Sequence, residues 1–270
     1  MESSVVIIAR NSENTIGNCI RSVKDQSHPA SEIIVVDNGS TDSTALIARR
    51  NRVKVLNEPI PGRSRARNKG IRGARGEIIV FIDSDAYAHR DWLKYLLSTY
   101  ERDLLAGVAG NICAANSDRL IPHLIDLVVR NCPHFGTGNI AYGKSVLTEV
   151  GLFNEELRSA EDVEIAWRIL KAGHGIGFEP KAIVYHFHPQ NLRKFLRQQE
   201  DFGESSMIAR KTLRMSIQRQ RLLMIGAPLT VVSHLKEIFR HPLLPFFLTM
   251  ASIAYARGLS KGLSARRNLA

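Results

Sequence analysis

The chain has 270 residues, 44% of them hydrophobic and 23% charged, a balance that excludes global disorder and allows one ordinary to large α/β domain with a sizeable core. A formal net charge of +11 favours anionic partners, whether nucleotides, nucleic acid or an anionic membrane face, without choosing among them. The three cysteines, Cys19, Cys113 and Cys132, are widely spaced and form no CxxC pair, which predicts reduced, buried thiols in a cytosolic protein. The N-terminus enters an apolar run without a basic leader, so no signal peptide is read. No uncharged apolar run reaches the ~18 residues that span a bilayer.

Val5 to Ala9 is a short, continuous, β-branched run, the pattern of a strand buried on both faces. Ser12 is placed to cap a helix in which Ile16, Cys19, Ile20 and Val23 recur at helical spacing. Ile33 to Val36 is a second buried strand ending at Asp37, followed by the turn residues Asn38-Gly39-Ser40. Thr41 or Asp42 can cap the next helix, through about Arg50. Val53 to Leu56 is a third strand, and Pro59, Pro61 and Gly62 break the chain. A basic helix over Arg63 to Ala74 is stopped by Gly76. Ile78 to Ile82 is a fourth buried strand, ending in Asp83-Ser84-Asp85. Leu120 to Arg130, Lys144 to Val150 and Glu161 to Ala172 read as helices, Gly136 to Asn139 as a flexible loop, and Ala182 to Phe187 as a strand carrying His186. The tail holds two strongly apolar stretches, Leu222 to Leu235 and Leu243 to Ala256, the second flanked by Arg240, Arg257, Lys261, Arg266 and Arg267.

Repeated β-α-β units with short links predict a mostly parallel sheet with helices on both faces. Ligands bind such sheets beyond the carboxyl ends of the strands, where Asp37 and Asp83 fall. The Asp83-Ser84-Asp85 triplet can aim two carboxylates into one cleft, and Mg2+ or Mn2+ prefers such oxygen ligands while bridging phosphates. Alone, such a triplet is more often a solvated turn; its place at the end of a buried strand brings the two readings level. Asp37 is either a turn former or an acceptor for a nucleobase N–H. Glu161-Asp162 supplies either helix N-terminal charge or a general base. His186 and His188 share a face of one strand, as structural residues or with one of them a metal ligand.

Read together and in order, the segments V-V-I-I-A-R-N, I-I-V-V-D-N-G-S-T-D, G-R-S-R-A-R-N-K-G, G-E-I-I-V-F-I-D-S-D, G-T-G-N-I-A-Y, V-G-L-F-N-E and S-A-E-D-V-E-I-A-W-R resemble the family 2 glycosyltransferases of the GT-A fold over about residues 4 to 190. The resemblance implies a Rossmann-like sheet and transfer of a sugar from a nucleotide-diphosphate donor to an acceptor hydroxyl, with metal assistance and inversion. By position it implies that Asp37 holds the base and that Asp83 lies near the ribose and diphosphate. Asp85 would bind the metal, with His186 as a further ligand, and Asp162 would be the catalytic base. Arg63 or Arg67 would sit near the phosphates, and Ala9, Arg10, Asn11, Gly39 and Ser84 would line the same nucleotide-sugar site. Arg10 stands where relatives often carry an aromatic, though an arginine also stacks on a base. The Q-x-x-R-W motif of processive members is missing, which predicts non-processive transfer.

The expected organisation is a GT-A domain over residues 1–215 and a membrane-associating helical tail over 216–270. The expected acceptor is a lipid-linked glycan or surface polysaccharide, and the expected location is the cytoplasm, peripheral on the inner face of an anionic membrane. A metal-dependent nucleotidyltransferase would carry a glycine-rich basic loop after the first strand, which Ala9-Arg10-Asn11-Ser12-Glu13 lacks. A dinucleotide-binding dehydrogenase fails because no G-x-G-x-x-G follows a strand. A nucleic-acid-binding module is disfavoured, because Lys and Arg are scattered and no recognition motif with interleaved aromatics appears.

Overall fold

The computed structural model describes residues 1–130, 135–212, 241 and 243–264. The strands are β1 Ser3–Ala9, β2 Glu32–Asp37, β3 Lys54–Asn57, β4 Ile78–Asp83, β5 Ala86–Ala88, β6 Gly107–Ala114, β7 Asn139–Gly143 and β8 Ile176–His186. They form one eight-stranded sheet in the order β3-β2-β1-β4-β7-β6-β8-β5. β7 runs antiparallel to β4 and β6, and β5 antiparallel to β8. The other pairings are parallel, giving the expected mostly parallel α/β architecture.

The helices are α1 Ile16–Lys24, α2 Thr44–Arg50, α3 Arg63–Gly73, α4 Trp92–Arg102, α5 Leu120–Val129, α6 Lys144–Glu149, α7 Glu161–Lys171, α8 Leu192–Thr212 and α9 Leu244–Ser264. Alternate residues of β1 point to opposite faces, as a strand requires. Val5, Ile7 and Ala9 join α1 and α4 in one apolar layer through Ile16, Cys19, Ile20, Trp92 and Leu96. Val6, with Ile34 and Val36 of β2, packs on Ala66 and Ile71 of α3 and Ile165 and Ile169 of α7. Each of these large side chains contributes roughly 1.5–3 kcal/mol on full burial.

Three local expectations need correction. Ser12 does not cap α1 with its side chain; its Oγ meets Arg10 O at 3.2 Å and Ser84 Oγ at 2.9 Å instead. Neither Thr41 nor Asp42 is the cap residue of α2, which is Ser43; Asp42, one residue earlier, accepts from Thr44 N at 3.0 Å through its Oδ1. The segment read as a flexible loop leads directly into β7: Thr137 is buried, and Asn139 opens a strand buried along its length. Asn139 is fixed on three sides, accepting from Trp92 Nε1 at 2.7 Å and donating to Asn111 O and Ala182 O at 2.8 Å.

The C-terminal helix α9 lies along α8. Contact is so close that a Cβ on Gly258 would fall 1.9 Å from Glu200 O, and one on Gly203 would fall 2.1 Å from Tyr255 O. Leu244 and Phe247 of α9 close a third apolar cluster with Leu124 and Ile125 of α5 and Phe195 of α8. Among the described residues no helix is long and apolar enough to cross a membrane. Cys19 and Cys113 are buried and free, as expected. Cys132, the stretch Leu222 to Leu235, the 215/216 boundary, Arg240, Arg266 and Arg267 lie outside the described residues.

Candidate active site

The parallel register sets Ala9 beside Asp37 and Ile8 beside Asp83, so both acids reach the same carboxyl edge of the sheet. Around Asp37 the chain builds a polar shelf. Ser40 N donates to Asp37 Oδ1 at 3.3 Å. Gly39 adopts φ 70°, a left-handed turn that suits glycine, and a Cβ there would meet Pro59 O at 3.3 Å. Asn11 N donates to Ser40 Oγ at 3.0 Å, and Asn11 Oδ1 accepts from Thr41 N at 2.8 Å. These bonds bring the exposed Arg10 and Asn11 against the Asp37 turn. Asn38, read from the sequence only as a turn residue, bolts this turn to the start of α3. Its Nδ2 donates to Glu58 O and Ile60 O, and its Oδ1 accepts from Gly62 N at 2.9 Å.

At the end of β4, Asp83 and Asp85 meet His186 at the end of β8. Asp85 O accepts from Phe187 N at 3.1 Å, which fixes the two segments side by side. His186 Nε2 lies 3.2 Å from Asp85 Oδ1 and 3.5 Å from Asp83 Oδ2. One ligand atom from each of the three falls within 4.8 Å of the others. Two carboxylates and one imidazole nitrogen on a half-buried surface are a donor set that fits a hard divalent cation, so the residues present suit Mn2+ or Mg2+. His188 stacks on His186 with ring centroids 5.1 Å apart, and Asn116 Oδ1 accepts from His188 N at 3.1 Å.

The charges in this cluster influence one another. Burial pushes the Asp83 carboxyl up, but the hydrogen bond and charge of His186, with Arg67 and Arg63, outweigh it and hold Asp83 below the usual carboxylate range. Burial pushes His186 down, but Asp83 and Asp85 outweigh it and raise the imidazole to about 10.

Asp162 stands in the first turn of α7, half-buried. A Cβ on Gly136 would lie 3.4 Å from Asp162 Oδ2, and one on Gly138 would lie 2.9 Å from Asp83 Oδ2. The two glycines thus let one loop pass tightly over both carboxylates. Burial, then the neighbouring Glu161, pushes the Asp162 carboxyl up, and Arg67 only partly opposes them. The positive end of the α7 dipole, which favours an ionised carboxylate, is therefore not the dominant influence on Asp162.

The two candidate phosphate-side arginines separate. Arg63 is exposed at the first residue of α3. Arg67 is 4% exposed and ion-paired with the buried Glu161.

Residues 4–151 match the family described as Glycosyl transferase family 2, and residues 78–259 match Glycosyl transferase family group 2. The chain belongs to glycosyl transferase family 2. The pre-mycofactocin glycosyltransferase of Mycobacterium tuberculosis is 29% identical to this family 2 chain over 223 residues, covering 75% of it and 46% of the relative. Glycosyltransferase AglE of Haloferax volcanii is 30% identical over 200 residues, covering 68% and 66%. The chain thus spans about half the length of the first relative. Mannosyltransferase PcManGT from Pyrobaculum calidifontis, solved with GDP-Man and Mn2+, shares the fold with a TM-score of 0.75 at 19% identity, covering 98% of this chain and 88% of that one. S. aureus TarS 1-349 in complex with UDP-GlcNAc gives 0.60 at 18% identity, covering 99% and 92%.

Proposed function

We propose that this family 2 glycosyltransferase moves a sugar from a nucleotide-diphosphate donor to an acceptor hydroxyl with inversion. The observation that carries the reading is the convergence of Asp83, Asp85 and His186 at the carboxyl edge of the sheet that also holds Asp37, with Asp162 reached across the Gly136–Gly138 loop. In this reading Asp37 accepts an N–H from the nucleobase and Arg10 stacks on its face, with Ala9, Asn11, Gly39 and Ser84 shaping the shelf. Arg63, at the positive end of α3, faces the diphosphate. Asp83 lies by the ribose and diphosphate, and Asp85 and His186 hold a Mn2+ or Mg2+ ion. When bound, that ion offsets the charge growing on the departing diphosphate. Asp162 takes the acceptor's proton as its oxygen attacks. The Mn2+ and nucleotide-sugar complexes of PcManGT and the nucleotide-sugar complex of TarS support a donor of this class.

We further propose a non-processive enzyme acting on a lipid-linked glycan or surface polysaccharide at an anionic membrane face. Leu243, Phe246 and Ile253 expose apolar side chains on or beside α9, a helix that also carries Arg257 and Lys261, the latter paired with Glu200 of α8. That combination suits an interfacial helix, with apolar groups entering the headgroup boundary and cations meeting anionic lipid. The broad test is a thermal-shift screen of nucleotide diphosphates and nucleotide sugars with and without Mn2+. A metal-dependent shift by one nucleotide series supports the reading. No shift by any of them, with binding to nucleic acid in a mobility assay, would replace it by a basic nucleic-acid-binding module.

A further inference from the structure

Glu161 and Asp162 open α7 side by side, yet their surroundings differ sharply. Glu161 is 2% exposed, and its Oε1 accepts from Arg67 Nη1 in an ion pair that water does not reach. Arg67 projects from the middle of α3, its guanidinium 5.5 Å from the centre of the Phe153 ring. The next residue, Asn68, clasps the same segment. Its Nδ2 donates to Phe153 O at 2.9 Å and its Oδ1 accepts from Phe153 N at 2.9 Å. From the other side, Ser159 Oγ donates to Ser205 Oγ of α8 at 2.5 Å. Between these anchors Ala160 adopts φ 57°, a left-handed conformation costly for a residue with a Cβ. Such strain persists only where the surroundings over-determine it, and it concentrates at functional sites. The first turn of α7 is therefore pinned from α3 and from α8, on either side of a strained residue.

The groups facing Asp162 are Glu161 on its own helix, Arg67 from α3, Asp83 from β4 and Tyr142 from β7. Two adjacent carboxylates without a cation would share one proton, because like charges at close range disfavour double ionisation. We propose that Arg67 and Glu161 are positioning residues for Asp162: the buried pair pins the first turn of α7, and Arg67 offsets part of the Glu161 charge, leaving Asp162 as the carboxylate offered to the acceptor hydroxyl. The inference rests on the reading of Asp162 as the base, and it gives Arg67 a duty other than phosphate binding. It also explains a buried carboxylate beside a working one, since Glu161 holds the turn while Asp162 titrates.

The pair makes opposite errors when its halves are removed. Arg67→Met leaves the Glu161 charge uncompensated, which raises the proton affinity of Asp162 and moves the acid limb of the pH–kcat profile to higher pH. Glu161→Gln leaves Arg67 uncompensated and moves the same limb to lower pH. The double variant Arg67→Met/Glu161→Gln returns the limb toward the wild-type position. The expected displacement is about one pH unit each way, with donor KM changed by less than about threefold. A merely structural role lowers kcat in step with Tm and moves the limb in neither direction. If Arg67→Met does not fold, Arg67→Lys and Glu161→Gln decide the matter. Arg67→Lys keeps the charge and the limb while losing the fork geometry and some kcat, whereas Glu161→Gln still moves the limb down. An unmoved limb in Glu161→Gln, or single variants that move it the same way, overturns the inference. Asp162→Asn, measured alongside, separates the two levels. Transfer retained by that variant sinks the base reading and this inference with it, and transfer lost while the other limbs stay fixed sinks the inference alone.

Discussion

His186 Nε2 lies 3.2 Å from Asp85 Oδ1, the two residues being brought together by the antiparallel pairing of β5, which follows Asp85 directly, with the end of β8, where Ala86 stands opposite His186. The proposed metal ligand set, assembled this way, would depend on each member. Asp85→Ala removes one carboxylate and leaves donor charge uncompensated, so transfer should fall roughly a thousandfold, equivalent to several kcal/mol of transition-state stabilisation. The fold should survive, because Asp85 sits half-exposed in a turn. Far-UV circular dichroism, Tm and initial rates together check this; unchanged transfer by Asp85→Ala would remove Asp85 from the metal site.

The same pair makes metal binding depend on pH. In the metal-free protein His186 is raised to about 10 by Asp83 and Asp85 against the opposing effect of burial, so near neutral pH it carries a proton. That proton must leave before Nε2 can take a cation. Mn2+ binding should therefore release a proton, and its affinity should rise by up to about tenfold per pH unit as pH climbs toward the raised value. Isothermal titration calorimetry in buffers of different ionisation enthalpy reads the proton directly. Binding without proton release between about pH 7 and 8 would take His186 out of the ligand set.

Glu161 and Asp162 should dissociate stability from activity. Asp162→Asn keeps size and hydrogen bonding but removes basicity, and should cut transfer by roughly a hundredfold or more with donor affinity nearly unchanged. Glu161→Gln disturbs a buried ion pair and should lower stability by about 3 kcal/mol, near the low end for such pairs, while transfer at its best pH falls less than about tenfold. Denaturant melts and steady-state rates on both variants test the contrast. Near-normal transfer in Asp162→Asn with collapse in Glu161→Gln would move the base to Glu161.

Much of this site was legible because its strands are buried on both faces. The runs ending at Ala9, Asp37 and Asp83 carry no polar interruption, so their ends, and the acids on them, could be read from the chain. β7 was not legible. It is five residues bounded by Asn139 and Gly143, and its place between β4 and β6 comes from pairing with distant strands. The Arg67–Glu161 pair spans 94 positions and leaves no local pattern, which is why Arg67 read as a phosphate-side cation. The α3 segment was legible as helix, but that Arg67 among its arginines is buried follows from its partner Glu161, far along the chain. By sequence the apolar stretch of α9 favours an interfacial helix over a core one. The structure shows that Leu244 and Phe247 pack inward while Phe246 and Ile253 stay exposed.

That division within α9 yields a stability and binding contrast. Leu244 is fully buried against α5 and α8, so Leu244→Ala should cost about 2–5 kcal/mol. Phe246→Glu with Ile253→Glu changes only exposed positions and should leave Tm within a few degrees. The same double variant should release the protein from vesicles containing anionic lipid while nucleotide binding persists. Equal flotation of wild type and the double variant would remove this face from the membrane reading.

The central claim is metal-dependent sugar transfer from a nucleotide-diphosphate donor at the Asp83–Asp85–His186 cluster. Its most direct test is release of nucleoside diphosphate from UDP- and GDP-sugars by the full chain with an oligosaccharide or lipid-linked acceptor. Reactions are run with Mn2+, with EDTA, and with Asp85→Ala. The account predicts acceptor-dependent release of the nucleoside diphosphate with Mn2+, abolished by EDTA and lost in Asp85→Ala. Full turnover in EDTA, or release of pyrophosphate in place of the nucleoside diphosphate, would contradict it.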